Sequence, residues 1–247
     1  SMSGSRGDLR VGTSGYRYPH WRGVFYPSDL PVRKWFGYYA ERFDTVEINN
    51  TFYRLPDGEV FDSWRVQAPP GFSYALKYSR YATHIKRLKE PQEPLRRFVA
   101  CADRLGGASG PVLVQLPPHW RVNVERLSAF ARLLPGTHRW TLEVRDRSWL
   151  SEAVFAVLAE HNVALCIHDM IPGHPRVLTA DFVYLRFHGD QYRGSYSPQF
   201  LTAEADRIAG YLAQGMNTYA YFNNDEHGYA VGNALDLKRY LATRMNH

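Results

Sequence analysis

Short apolar runs recur along the 247-residue chain. Most are followed by a stretch whose apolar positions return every three or four residues. The runs read as strands: "LRVGTS" (9–14), "TVEIN" (45–49), "SYALKYS" (73–79), "PVLVQL" (111–116), "TLEVRD" (141–146), "ALCIHD" (164–169), "FVYLRFHG" (182–189) and "TYAYFN" (218–223). Helical periodicity falls between them, over about 31–43, 59–67, 91–105, 123–134, 150–161, 200–214 and 233–244. The gap at 171–180 is short and proline-rich, and predicts no helix. In the loop "RSW", Ser148 is the expected N-cap of the fifth helix and Trp149 a packing residue. The prolines of "QLPPHW" (115–120) make an X-Pro bond there a candidate for cis geometry.

Strands alternating with helices over this length predict an α/β fold, a (β/α)8 TIM-type barrel formed as a single domain by residues 9–247. A doubly wound open sheet is the alternative. It is the weaker one, because "GTSGYRYPHW" lacks the glycine spacing of a phosphate loop. Residues 1–8, "SMSGSRGD", read as a tag-like or disordered start.

Period two within each strand sorts the polar residues onto shared faces. Glu47 pairs with Asn49, and Lys77 with Ala75. Gln115 pairs with Leu113, and Glu143 with Arg145. Tyr184, Arg186 and His188 share a face, as do Tyr221 and Asn223. Each polar residue lies late in its strand, and in a barrel that end carries the site. Glu47, in the middle of the β-branched run "TVEIN", is thus expected to point into a mouth that also holds cations. The plainer reading is a charge network that satisfies itself, since buried charges come in pairs.

The chain carries a formal charge of +6, a pI of about 9.3 and 45% hydrophobic residues. A basic balance favours anionic partners, here a small anion or a nucleic acid. No apolar run reaches membrane-spanning length, so no membrane partner is expected. Cys101 and Cys166 lack metal or redox spacing and read as thiols of a reducing, cytoplasmic compartment.

Seven segments then become recognisable in order: "GTSGYRYPHWRGVFYP" (12–27), "VEINNTFYRLP" (46–56), "LKYSRYATH" (76–84), "PVLVQLPP" (111–118), "LEVRDRSW" (142–149), "YLRFHG" (184–189) and "YFNNDEHGYAVGNA" (221–234). Together they resemble the "domain of unknown function 72" family, also called YecE-like. Asn50 stands where that pattern has serine, and Asp146 where it has histidine. The resemblance implies a (β/α)8 barrel and no particular reaction, so the chemistry must come from the site.

Four chemistries fit the residues. The first is an enzyme, hydrolase or lyase in type, acting on a phosphate-bearing substrate such as a nucleotide or nucleic acid. Lys77, Arg80, Arg145 and Arg186 would grip the anion, joined by His84. Glu47, Glu143 and His188 would do acid–base work. Asn49, Gln115 and Asn223 would orient the substrate. Tyr16, Trp21 and Tyr53, with Tyr18, would stack on rings. The second is a glycoside hydrolase using Glu47 and Glu143. The third is a metal-dependent hydrolase; a divalent metal is an option, although no ligand signature or organic cofactor motif appears. The fourth is an anion-binding protein without turnover.

Overall fold

The computed structural model describes residues 4–245. Of the expected tag-like start, residues 1–3 lie outside the described residues. Gly7, near its end, is tied down by its N–H to Leu212 O at 2.9 Å. The fold class is the α/β, TIM-barrel type that the alternation predicts, with parallel strands throughout the registered pairs. The chain divides into two compact units.

One unit comprises the chain up to Val46, His168–Met170 and everything from Asp181. Its sheet runs β1 (Leu9–Thr13), β9 (Asn217–Phe222), β8 (Phe182–Phe187), β7 (Ile167–His168). Helices α1 (Trp35–Arg42), α7 (Pro198–Ala213) and α8 (Tyr229–Met245) belong to it. Ser197 caps α7 by accepting from Phe200 N–H, and Pro198 opens it, where a missing N–H is harmless. In β1, a Cβ at Gly12 would lie 2.3 Å from Thr45 O. No side chain fits there, so glycine sets the close approach.

The other unit comprises Glu47–Ile167 and Ile171–Ala180. Its sheet runs β2 (Thr45–Ile48), β3 (Ser73–Lys77), β4 (Ser109–Gln115), β5 (Trp140–Glu143), β6 (Val163–Leu165). Outside the strands lie α2 (Asn50–Tyr53), α3 (Gly58–Gln67), α4 (Gln92–Asp103), α5 (Val124–Ala131) and α6 (Glu152–Glu160). α4 buries Leu95, Phe98 and Ala102, one face at helical spacing. Each large side chain so buried contributes about 1.5–3 kcal/mol.

Four details differ from the sequence reading. The expected sixth strand is two strands, divided at Cys166: β6 pairs with β5, and β7 lies beside β8. A four-residue helix, α2, follows β2 directly. The N-cap of α6 is Ser151, not Ser148; Ser148 Oγ instead accepts from Val122 N–H at 2.8 Å. Every described peptide bond is trans, including those of the Pro-Pro turn. Trp149 packs as expected, fully buried and donating from its ring N–H to Trp120 O. The stretch 171–180 carries no helix. Instead, Thr179 Oγ1 accepts from Leu165 N–H and donates to Val163 O, fastening the segment to β6.

Candidate functional site

In both units the polar candidates sit at or just beyond the carboxyl ends of the strands. Asn49 follows β2, Arg145 lies two residues past β5, His188 follows β8 and Asn223 follows β9. Alternation overran the strand bounds because these residues continue the period past the last registered pair; Asn223 N–H still donates to Phe187 O at 2.8 Å.

In the unit built on β2–β6, Gln115 and Glu143 are register partners at the ends of β4 and β5. Gln115 donates from Nε2 to Glu143 Oε1 at 3.0 Å, and Arg145 Nε reaches the same oxygen at 2.6 Å. Glu143 Oε2 lies 3.8 Å from Cys166 Sγ. Glu143 is fully buried, so this ion pair is screened little by water. Glu47 is fully buried too, within β2. Asn49 Oδ1 is buried and, among the described residues, finds no hydrogen-bond partner. An orphan acceptor of this kind costs about 1–3 kcal/mol.

The cations of this unit gather after β3. Lys77 ends the strand with its Nζ 4.0 Å from the centre of the Phe52 ring, a cation–π contact. The Phe52 ring meets the His84 ring edge-on at 5.1 Å. Thr83 Oγ1 lies 2.8 Å from His84 Nδ1. His84 occupies a π-helical turn, Tyr81–Ile85. Burial pushes its imidazole down to about 4, and the charges of Lys77, Arg80 and Arg145 push the same way. The sequence places His84 among the cations; in the fold it is a neutral imidazole, held so first by burial and then by the three charged neighbours. Arg80 is exposed, and so is Tyr53, with 75% of its surface open.

In the unit built on β1, β7, β8 and β9, Arg186 and His188 are buried, with Arg186 Nη1 3.5 Å from His188 Nε2. Asn223 Nδ2 lies 3.4 Å from His188 Nδ1. The His188 backbone N–H donates to Asp169 Oδ1 at 2.7 Å, and the Tyr196 hydroxyl donates to Asp169 Oδ2. Asp169 therefore anchors the loop after β8, a role that alternation alone did not suggest. Trp21 departs from expectation: it is 0% exposed and donates to both oxygens of Asp225 at 2.9 and 3.0 Å. It offers no ring face for stacking. His20 Nε2 meets the same carboxylate at 2.7 Å. Tyr16 is half-buried against Phe36 and Tyr39, which raises its phenol through burial. The aromatic loop after β1 is thus largely a packing cluster.

Residues 10–247 match the family described as "Protein of unknown function DUF72". The chain belongs to that family. The "UPF0759 protein YecE" of Escherichia coli K12 is 31% identical over 115 residues, 46% of this chain and 42% of that protein. The match thus spans less than half the length of this curated relative. A DUF72 family protein from Thermotoga maritima MSB8 superposes with a TM-score of 0.85 at 28% identity, covering 95% of this chain and 99% of that one. A DUF72 family protein from Enterococcus faecalis V583 gives 0.80 at 19%, covering 95% of each chain. D-psicose 3-epimerase from Clostridium cellulolyticum H10, solved with D-tagatose, gives 0.52 at 14%, covering 96% and 97%, a likeness of fold alone. Among the described residues no helix is long and apolar enough to cross a membrane.

Proposed function

We propose that this DUF72 chain is a single-domain (β/α)8 enzyme acting on a phosphate-bearing anion, a nucleotide or nucleic acid component. The anion is held beyond the carboxyl end of β3 by Lys77, Arg80 and Arg145. One arrangement carries the reading: Lys77 Nζ and the His84 ring both lie against the Phe52 ring, and burial first, then the charges of Lys77, Arg80 and Arg145, push that imidazole down. Positive groups that act on one ring also favour an arriving anion there. Arg145 is held in place by Glu143, which suits bidentate contact with phosphate oxygens.

The chemistry follows from the same field. With no anion beside it, burial and the neighbouring cations keep His84 neutral. A bound phosphate dianion offsets their charge and raises the proton affinity of the ring. His84 then acts as general base, accepting a proton from a hydroxyl or water beside the anion. Glu143 orients Arg145 and Gln115 rather than donating a proton, because its ion pair favours the carboxylate. That disfavours a glycosidase, which needs one of its two carboxyl groups protonated.

The test is calorimetric titration with inorganic phosphate. The native chain should bind it, and Lys77→Ala or Arg80→Ala should weaken binding about tenfold or more, as loss of a charge-assisted hydrogen bond implies. Silence at millimolar phosphate, or variants that bind equally well, sinks the reading.

A further inference from the structure

Beside the cation group lies a cavity of about 480 Å³, a size suited to a small organic ligand. Phe52 belongs to both places. Its ring carries Lys77 at 4.0 Å and also lines the cavity. Ser79, between Lys77 and Arg80 in sequence, is on the wall as well. Two tyrosines contribute to the lining while remaining open to solvent, Tyr53 at 75% and Tyr81 at 56%. Large aromatic rings left this exposed lose little when a planar ligand covers them.

Charge points the same way. The cavity is lined by Arg54, Lys86 and Arg97, and by Glu90 and Glu93. Glu90 pairs with Lys86 at 3.6 Å, and Glu93 is engaged by Arg96. The acidic groups thus have their own cationic neighbours, and the wall keeps a basic balance. The backbone beside the cavity is also unusual. The π turn Tyr81–Ile85 is followed by Arg87, Leu88 and Glu90, all with positive φ (49°, 64° and 45°). Such conformations are uncommon for side-chain-bearing residues and cluster at functional sites.

We infer that this cavity is the ring-binding half of the site, and that the substrate is a nucleoside monophosphate. The base lies against Tyr53 and Tyr81, and the phosphate reaches Lys77 and Arg80. The inference rests on the phosphate reading above and narrows it: a sugar phosphate fills only the cationic half, whereas a nucleotide fills both. A volume of about 480 Å³ matches one nucleotide better than a strand, which would need a long groove tracking its backbone.

Calorimetric titration separates the parts, with AMP, ribose 5-phosphate and adenosine as ligands and a trinucleotide as control. AMP should bind at least tenfold tighter than ribose 5-phosphate. The Tyr53→Ala, Tyr81→Ala double variant, altered only at exposed side chains, should erase that ratio and leave ribose 5-phosphate affinity unchanged. Equal affinities in the native chain, or a ratio that survives the double variant, overturns the ring pocket. A trinucleotide binding more than tenfold tighter than AMP overturns the choice of a single nucleotide. If adenosine binds as tightly as AMP, and Lys77→Ala with Arg80→Ala changes neither, the phosphate reading fails while the ring pocket stands.

Discussion

Two polar clusters span the same strand pair, β4 and β5, one at each end. At the start, Ser109 Oγ lies 3.2 Å from His138 Nδ1, and His138 Nε2 lies 2.6 Å from Asp103 Oδ1. At the finish, Gln115 and Arg145 converge on Glu143 at 3.0 and 2.6 Å. The first has the residue types of a hydrolytic triad; the second does not. Yet the first sits at the amino ends of the strands, where this kind of fold keeps stabilising contacts. Its Asp103 is largely exposed, so the pair is worth little. The second lies at the carboxyl ends, fully buried at Glu143, with Arg145 among the cations acting on His84. Residue types at hydrogen-bond distance do not make a site; strand polarity and surrounding charge do.

The comparison breaks most readily on turnover. With a nucleotide substrate, His84→Ala should lower kcat by about 10²- to 10⁴-fold, the usual contribution of a positioned acid or base. His138→Ala should leave kcat unchanged. A His138 variant that abolishes turnover while staying folded would move the site to the other end of the strands.

Stability gives the next largest contrast. Arg145→Ala removes a guanidinium that pairs with the buried Glu143 and should destabilise the fold by about 3–5 kcal/mol. His138→Ala should cost about 1–3 kcal/mol, typical of a lost buried side chain with its hydrogen bonds. Denaturant midpoints measure both. The opposite order would mean that the amino-terminal cluster is the one under electrostatic stress.

The pH dependence sharpens the contrast further. In the unfolded chain an imidazole titrates near 6.5, whereas His84 in the fold titrates near 4. Between those values the unfolded state binds the extra proton. The contribution of His84 to stability should therefore be full above about pH 6.5, fall as the pH drops through that window, and be lost below about 4. Proton NMR of the His84 ring should give the low midpoint directly, and saturating phosphate should move it upward. A midpoint near 6.5 that ignores phosphate would remove the cation field from the argument.

Much of this was legible in the sequence, and the gaps have physical causes. Alternation with period two marked Glu47, Gln115 and Glu143, because one polar residue among β-branched neighbours stands out on a buried face. It could not show where a ladder ends, since Arg145 and His188 continue the same period beyond the last strand residue. The division at Cys166 was hidden because a small apolar residue there leaves the run "ALCIHD" unbroken. Trp21 was misread because a loop aromatic looks the same in sequence whether it packs or stacks, and the deciding partner, Asp225, lies 204 residues away. The neutrality of His84 was hidden for a similar reason. Burial, its main cause, is set by the fold, and Arg145, one source of the field, follows β5, which is not consecutive with β3.

The smallest effect concerns the serine of the triad look-alike. Ser109→Ala removes one hydroxyl from beside His138 and keeps the backbone of β4 intact. His138 still has Asp103 at 2.6 Å, so the ring remains held on one side. The loss should be about 0.5–1.5 kcal/mol, the net worth of a single hydrogen bond. Phosphate affinity, the AMP preference and the His84 midpoint should all stay as in the native chain. A Ser109 variant that matches it in stability but loses turnover would make the hydroxyl a nucleophile, and would overturn the claim that the two strand ends differ in kind.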